Sequence, residues 1–228
     1  QGGDAIWEAY NRFHFQCDKR RFQKLFARVD LFRMACAVPG DIVDAGAFKG
    51  VSTILFAQLL EAYQPNTRSK VVSFDTFGST FSHLRTNEKK QADVLMRDYE
   101  GNAYGNLLAT LARLGLSHRV HVVRGDILKT LPAYVRANPG FRISLLHCDL
   151  DAYKPTLATL KAAWPRVSPG GIVVLDEYAI EPWGESDAVD EFLDGIGIPV
   201  KLEMLPVSPT PSAFFRKPLG AARKKSRR

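Results

Sequence analysis

The chain has 228 residues, 46% of them hydrophobic and 24% charged, and a formal net charge of +7. This length suits one α/β domain and is short for two, and no apolar run approaches the roughly 18 residues of a membrane span, which excludes a helical membrane protein. The seven basic residues of 216–228 account for the whole net charge, so the rest of the chain has no basic surplus of the kind that marks a dedicated nucleic-acid-binding domain.

Residues 1–38 are predicted to form a helical N-terminal extension that packs on the main domain. From Phe22 onward, apolar residues recur at spacings of three and four, which is typical of an amphipathic helix, and Pro39-Gly40 ends it. The chain begins with Gln1 instead of Met, which indicates a trimmed or partial chain, and its first residues do not resemble a signal peptide.

A regular alternation of short apolar strands and helices follows and predicts one domain over 39–217. The predicted strands are 41–45, 70–74, 120–123, 143–148, 171–175, 202–207 and 213–216. The predicted helices are 51–63, 102–114, 128–137, 155–164 and 186–193. This order is typical of parallel strands joined by right-handed crossovers, with helices on both faces. Because only the turn 208–212 separates the last two strands, we expect them to form an antiparallel hairpin at one edge.

The segment from Gly78 to Gly101 fits this alternation poorly, because it is polar and long for a connection inside a compact domain. Two interpretations remain open at this point: a lid or binding loop over a site, and an additional surface helix without a task. His83 lies in this segment and, in the first interpretation, could approach a substrate.

Ligands bind outside the carboxyl ends of the strands in an open parallel sheet, so the strand ends are the positions to inspect. The first strand ends in the turn 44–50, DAGAFKG, in which Gly46 and Gly50 permit a tight bend and a close ligand approach. The amides that open the next helix then face the ligand. The turn does not have the GxGxxG pattern, so it does not indicate a dinucleotide.

The second and third strands each end in an aspartate with two possible roles. Asp75 follows Gly50 by 25 residues and suits a carboxylate that accepts hydrogen bonds from ribose hydroxyls; alone, it would be a cap or turn residue. Asp126 suits an acceptor for an adenine amine, with Ile127 as an apolar surface for the ring, and it equally suits the N-cap of the following helix.

The fourth and fifth strands end in acidic clusters, Asp149-Leu150-Asp151 and Asp176-Glu177. Like charges crowded in a cleft are costly unless a cation or a shared proton offsets them, and a hard divalent metal such as Mg²⁺ is the economical solution. The alternative is that Asp149 and Asp151 only cap and hydrogen-bond near the next helix. We interpret His147 as an interior side chain and not as a catalyst.

Five segments resemble motifs of the macrocin O-methyltransferase (TylF-like) family, in order and in spacing. They are VPGDIVDAGAFKG at 38–50, DTF at 75–77, DLDAYKPT at 149–156, SPGGIVVLDEY at 168–178 and DAVDEF at 187–192. The likeness runs from about Val38 to Phe215. The chain departs from the family pattern at Asp44, where Glu is common, and at Glu177, where Asp is common.

The resemblance implies a class I methyltransferase (Rossmann-like) fold, S-adenosyl-L-methionine as the methyl donor, Mg²⁺, and a hydroxyl acceptor on a small metabolite that contains a sugar. It implies Asp149, Asp176 and Glu177 as metal ligands and Asp149 also as the catalytic base. The cofactor-binding residues expected on the strand ends are Asp44, Gly46, Gly50, Ser52, Asp75, Thr76, Asp126 and Ile127.

Two other functions remain as alternatives: a metal-independent methyltransferase that acts on RNA or another polyanion, and a non-catalytic domain that binds S-adenosylmethionine. The segment 218–228 is expected to be a disordered basic tail or, in the first alternative, a docking site for the polyanion. The odd number of cysteines argues against a disulfide framework, so we expect a cytoplasmic protein, with a small-molecule acceptor and possible homo-oligomers. We expect neither a membrane nor a nucleic acid as partner.

Overall fold

A computed structural model describes residues 2–78, 83–96 and 101–220 of the chain. The seven strands of its sheet are β1 Asp41–Ala45, β2 Val71–Asp75, β3 Val120–Arg124, β4 Ile143–Cys148, β5 Val167–Leu175, β6 Leu202–Glu203 and β7 Ala213–Arg216. The helices are α1 Gly2–Gln16, α2 Lys19–Ala35, α3 Val51–Tyr63, α4 Thr86–Met96, α5 Ala103–Arg113, α6 Ile127–Ala137, α7 Tyr153–Ala163 and α8 Glu185–Ile196.

The strands lie in the order β3-β2-β1-β4-β5-β7-β6. The first five are parallel, and β7 is antiparallel to both β5 and β6. The predicted class I methyltransferase sheet, with its C-terminal hairpin at one edge, is therefore confirmed. The strand order reverses between β1 and β4, which is the position where an open α/β sheet forms its ligand crevice.

Two hydrophobic cores cover the two faces of the sheet, because successive strand residues point to opposite sides. Ile42 packs with α2, α3 and α5 on one face, whereas Val43 packs with α6, α7 and α8 on the other. Leu145 and Leu146 of β4 divide in the same way and are both fully buried. Because helices cover both faces, the central strands are mainly apolar on both sides, with Asp44 and His147 among the buried polar exceptions.

Helix α2 belongs to the first core through Ala27, Leu31, Phe32 and Ala35. Asp18 begins this helix by accepting the amide hydrogen of Arg20. Helix α1 is different, because Trp7 and Phe15 are 65% and 83% exposed. The N-terminal segment thus forms two helices, and the second of them is a structural part of the main body.

The C-terminal hairpin differs from the expected bounds. Strand β6 has two residues instead of six, because the chain leaves the ladder after Glu203 and turns at 206–207. Arg216 ends β7, and Lys217 donates hydrogen bonds to the carbonyls of Trp164 and Val167. Two of the basic residues of 216–228 therefore hold the sheet edge. The rest of the predicted disordered tail, 221–228, lies outside the described residues.

Among the described residues, none of the helices has the length and apolar character that crossing a membrane requires.

Replacing Phe32 by Ala tests whether α2 is part of the core. Phe32 is 2% exposed, so we expect the variant to lose about 3–5 kcal/mol of unfolding free energy through the cavity it creates. Phe15→Ala is the matched control, and at an exposed site it should stay within about 0.5 kcal/mol of the parent. Urea unfolding followed by circular dichroism measures both. Equal losses in the two variants would contradict this packing.

Candidate active site

A cavity of about 730 Å³ opens where the strand order reverses, at the carboxyl ends of β1, β2, β4 and β5. Its walls include Gly46, Asp75 and Asp126 on one side, and Asp149 and Asp176 on the other. The sheet topology thus brings together strand ends that are up to 130 residues apart in the chain. This volume is within the range of small-molecule sites.

The turn after β1 is held by a close approach of two backbones. Gly46 has φ +91°, and a Cβ atom at this position would overlap the carbonyl oxygen of Asp149. Gly50 has φ +85° and precedes α3. A Cβ atom at position 50 would lie 2.5 Å from the Leu107 side chain of α5. Glycine at 46 therefore lets the turn lie directly against the loop that follows β4.

Asp75, at the end of β2, holds this turn from the other side. Its carboxylate accepts the amide hydrogens of Phe48 at 2.8 Å and Phe77 at 2.6 Å. Burial raises its pKa, and these two hydrogen bonds oppose the rise. Asp75 and Thr76 both line the cavity. The ribose role of Asp75 and the donor-binding role of Thr76 remain predictions.

Asp126 has the N-cap geometry that the sequence left open. One oxygen accepts the amide hydrogen of Leu128 at 3.0 Å, and the other lies 3.1 Å from Nε2 of His83. Burial raises its pKa, but the hydrogen bonds with His83 and Leu128 lower it by more. Asp126 and Ile127 also line the cavity, so capping does not remove either residue from the site, and their adenine role remains a prediction.

Asp44 lies behind the cavity wall. It is fully buried, its Oδ2 accepts hydrogen bonds from Ser52 at 2.8 Å and Thr53 at 2.5 Å, and its Oδ1 lies 2.9 Å from Nδ1 of His147. Burial raises its pKa, but these hydrogen bonds, led by that of His147, lower it by more. Of the predicted donor-binding residues, Ser52 lines the cavity. Asp44 and Gly50 are not among the described residues that line it. Asp44 can act on the site by ordering the turn after β1.

The acidic cluster forms at the ends of β4 and β5, which are neighbouring strands. His147, Asp149 and Asp176 each offer one potential ligand atom, and these three atoms lie within 4.8 Å of one another. Burial, followed by the negative charge of Asp176, raises the pKa of Asp149 to about 6. Glu177 lines the same cavity but lies outside this group of three. Burial and the charges of Asp176 and Asp149 raise its pKa to about 7.

Two cations from α2 face this cluster, and the sequence analysis did not identify them. Lys24 Nζ lies 2.6 Å from Oδ2 of Asp176 and 3.9 Å from Oδ2 of Asp149, and Arg28 lies 3.3 Å from the latter oxygen. The signal was present, because Arg21, Lys24 and Arg28 recur at helical spacing. Their partners are more than 120 residues away, so no local pattern pairs them.

His147 was interpreted as an interior side chain, and it is fully buried. The carboxylate of Asp44 can only accept, so Nδ1 carries the proton between them, and Nε2 is a lone-pair nitrogen when the ring is neutral. Among the described residues, neither this Nε2 nor Oδ1 of Asp176 has a hydrogen-bond partner, and the two atoms lie 3.8 Å apart. His147 is therefore an additional candidate metal ligand.

The segment between Gly78 and Gly101 contains α4, which forms a wall of the cavity through Gln91, Leu95 and Met96. This placement favours the lid interpretation over a surface helix without a task. His83 lies against Asp126, and residues 79–82 and 97–100 of the segment lie outside the described residues.

Comparisons with known proteins agree with this fold. The family model of the macrocin-O-methyltransferases (TylF) matches residues 13–217. The chain is 30% identical over 165 residues to the mycinamicin III 3''-O-methyltransferase of Micromonospora griseorubida, a match that covers 71% of this chain. The match covers 63% of that relative, so this chain spans less than two thirds of the relative's length.

A second curated relative is the 8-demethyl-8-(2,3-dimethoxy-alpha-L-rhamnosyl)-tetracenomycin-C 4'-O-methyltransferase of Streptomyces olivaceus. It is 29% identical over 182 residues, which are 72% of this chain and 67% of that protein. Among solved structures, the calicheamicin methyltransferase CalS11 superposes with a TM-score of 0.74 at 29% identity, over 92% of this chain and 85% of that one. The apo structure of CalS11, a TDP-rhamnose 3'-O-methyltransferase, superposes with a TM-score of 0.72.

The raised pKa of Glu177 predicts a pH-dependent stability in metal-free protein. The folded chain keeps this proton up to about pH 7, whereas the unfolded chain releases it near 4.5. The folded state therefore binds more protons between these values, and its stability falls as the pH rises. Glu177→Gln removes that loss, so at pH 8 we expect the variant to exceed the parent by about 1–2 kcal/mol, a value reduced for solvent screening.

Urea unfolding in EDTA at pH 4 and pH 8 measures this difference, which should be small at pH 4. Glu8→Gln, at an exposed position of α1, is the control and should not change the pH dependence. A gain from Glu177→Gln that is equal at both pH values would contradict the assignment.

Proposed function

Because the chain belongs to the macrocin-O-methyltransferase (TylF) family, we propose that it transfers the methyl group of S-adenosylmethionine to a hydroxyl of a small natural product that contains a sugar. The observation that carries this proposal is the contact between Gly46 and Asp149. It places the predicted donor turn directly beside the acidic cluster. The names of two curated relatives support it, because one specifies O-methylation of mycinamicin III and the other of a tetracenomycin that carries a rhamnosyl group.

The donor half of the cavity consists of the glycine turn, Asp75, Thr76, Asp126 and Ile127. In our proposal Asp75 accepts hydrogen bonds from the ribose hydroxyls, and Asp126 accepts one from the adenine amine. Asp75 already bonds the amides of Phe48 and Phe77, so its orientation is set before the donor arrives. Such preorganisation reduces the cost of binding.

The residues of the acidic cluster fit a divalent cation. Asp149, Asp176 and His147 offer two carboxylates and one imidazole within 4.8 Å, and Asp176 Oδ1 and His147 Nε2 are buried atoms with no partner among the described residues. We propose Asp149 and Asp176 as ligands of Mg²⁺, with Glu177 as a further one and His147 as a candidate. When bound, Mg²⁺ lowers the pKa of an acceptor hydroxyl and orients it.

Asp149 is the proposed general base. In the metal-free protein, burial and the charge of Asp176 raise its pKa to about 6, which makes this carboxylate a stronger base than an ordinary aspartate. The acceptor oxygen forms a bond to the methyl carbon as the carbon–sulfur bond breaks, its proton passes to Asp149, and S-adenosylhomocysteine leaves. Lys24 and Arg28 limit the negative charge that accumulates around Asp149.

Methyl transfer from labelled S-adenosylmethionine to mycinamicin III and to TDP-rhamnose tests the proposed function. These are the acceptors that the names of two relatives specify. A methylated product with either compound would support the class of acceptor. Transfer to bulk RNA, with neither small acceptor modified, would overturn it.

Donor binding should depend on Asp75. Asp75→Ala removes the carboxylate that holds the turn and accepts from the ribose, so we expect the Kd for S-adenosylhomocysteine to rise by about tenfold or more, the cost of losing charge-assisted hydrogen bonds. Isothermal titration calorimetry measures this Kd. Asp41→Ala is the control, since Asp41 accepts an equivalent backbone hydrogen bond from Lys70 at the opposite end of the sheet. Comparable losses in both variants would count against the donor role.

Turnover should depend on the cation and on Asp149. EDTA should abolish methyl transfer and Mg²⁺ should restore it, and Asp149→Asn should lower kcat by about 100-fold or more, because general-base catalysis and metal binding are both lost. Asp194→Asn, an exposed position on α8, should retain full activity. Undiminished turnover in EDTA would refute the metal role, and unchanged turnover of Asp149→Asn would refute its role as base.

A further inference from the structure

Glu88 on α4 is a fully buried carboxylate that the proposed chemistry does not use. Charged side chains are seldom fully buried without a dedicated set of partners. The partners of Glu88 come from three separate segments of the chain, and two of these segments follow the strands that carry the acidic cluster.

Three backbone amides donate hydrogen bonds to this carboxylate. Oε2 accepts from Arg85 at 2.6 Å, which fastens the start of α4 itself. Oε1 accepts from Tyr153 at 2.9 Å, where α7 begins after β4, and from Gly184 at 3.1 Å, where α8 begins after β5. A single side chain therefore joins α4 to the loops that contain Asp149 and Glu177.

The surroundings of Glu88 are built to this geometry. A Cβ at position 184 would overlap Glu88 Oε1 and lie 2.7 Å from Cβ of Tyr153, so only glycine lets these segments approach. Nearby contacts are weaker and more exposed: Asn87 donates to the carbonyl of Pro182 at 2.9 Å, and Arg85 stacks 3.5 Å from the Tyr153 ring and pairs with Asp187.

The face of α4 that follows Glu88 forms part of the cavity wall. Gln91 and Leu95 are three and seven residues beyond Glu88, at helical spacing, and both line the cavity with Met96. Ile180 and Trp183, from the loop after β5, also line the cavity. The hydrogen bond from Gly184 therefore fixes α4 relative to this loop.

We propose that Glu88 is a positioning residue that holds α4 as the wall of the acceptor half of the cavity. The assignment of this wall to the acceptor rests on the proposed function, whereas the anchoring of α4 by Glu88 is independent of it. Glu88 acts through backbone amides on Gln91, Leu95 and Met96, which are the groups that would contact the acceptor. None of these three hydrogen bonds involves a residue of the proposed donor half.

Glu88→Gln keeps the volume and shape of the side chain, but it removes the charge and leaves one accepting oxygen where there were two. With only one accepting oxygen, at least one of the three amides loses its partner. The hydrogen bonds that remain are weaker, because charge-assisted hydrogen bonds are about twice as strong as neutral ones. We expect the KM for the better of the two acceptors named above to rise by about tenfold, with the Kd for S-adenosylhomocysteine changed by less than about twofold.

Hydrogen exchange provides a measurement that needs no acceptor. Amides of 86–96 should exchange about tenfold faster in Glu88→Gln, because the helix opens locally more often, while those of β1 and β4 stay as slow as in the parent. Asp93→Asn is the matched control: it removes an exposed carboxylate from the same helix and should change neither exchange nor KM. Asn87→Ala, which removes a weaker anchor, should give a smaller change in the same direction.

The outcomes separate this inference from the proposed function. If the parent transfers no methyl group to either acceptor, the proposed function fails, whereas unchanged exchange at 86–96 in Glu88→Gln would overturn the anchoring. Faster exchange with an unchanged KM would mean that Glu88 stabilises α4 without positioning an acceptor, and it would also overturn the proposal. A loss of S-adenosylhomocysteine binding equal to the rise in KM would show general unfolding and overturn it as well.

Discussion

The site depends on one electrostatic constraint, the crowding of buried carboxylates where β4 and β5 end. Asp149 and Asp176 come within a few ångströms of each other, and Asp151 and Glu177 add to the same negative field. Like charges in a poorly solvated cleft raise one another's pKa. The fold offsets this cost with Lys24 and Arg28 from α2, and we propose that a divalent cation held by Asp149 and Asp176 offsets the remainder.

This constraint explains why α2 is part of the folded body. Its apolar face packs on the sheet, which places the basic stripe of the same helix over the carboxylates. The loop after β4 is equally constrained, because Gly46 admits the Asp149 carbonyl at a distance that no Cβ would allow. The packing of α2, the charges of Lys24 and Arg28, and the turn at Gly46 therefore all fix the position of Asp149. A change in one of these three features alters the setting of the other two.

Much of the fold was predictable from local patterns. The strand–helix alternation predicted all seven strands and placed Asp149 and Asp176 at neighbouring strand ends, since strand ends are read from apolar runs and turn residues. Long-range partners were not predictable. Lys24 pairs with Asp176, which is 152 positions away. The role of His147 depends on its neighbour Asp44 in the adjacent strand β1. No local pattern separates Glu88 from an exposed helical glutamate, because its burial arises from tertiary contacts.

The two halves of the cavity come from different parts of the chain. The proposed donor half draws on residues between β1 and the start of α6, whereas the opposite half draws on α2, α4 and the loops after β4 and β5. These outer segments contribute side chains without contributing strands to the centre of the sheet. A substitution in these outer segments can therefore reshape one side of the cavity while the five parallel strands at the centre of the sheet keep their register.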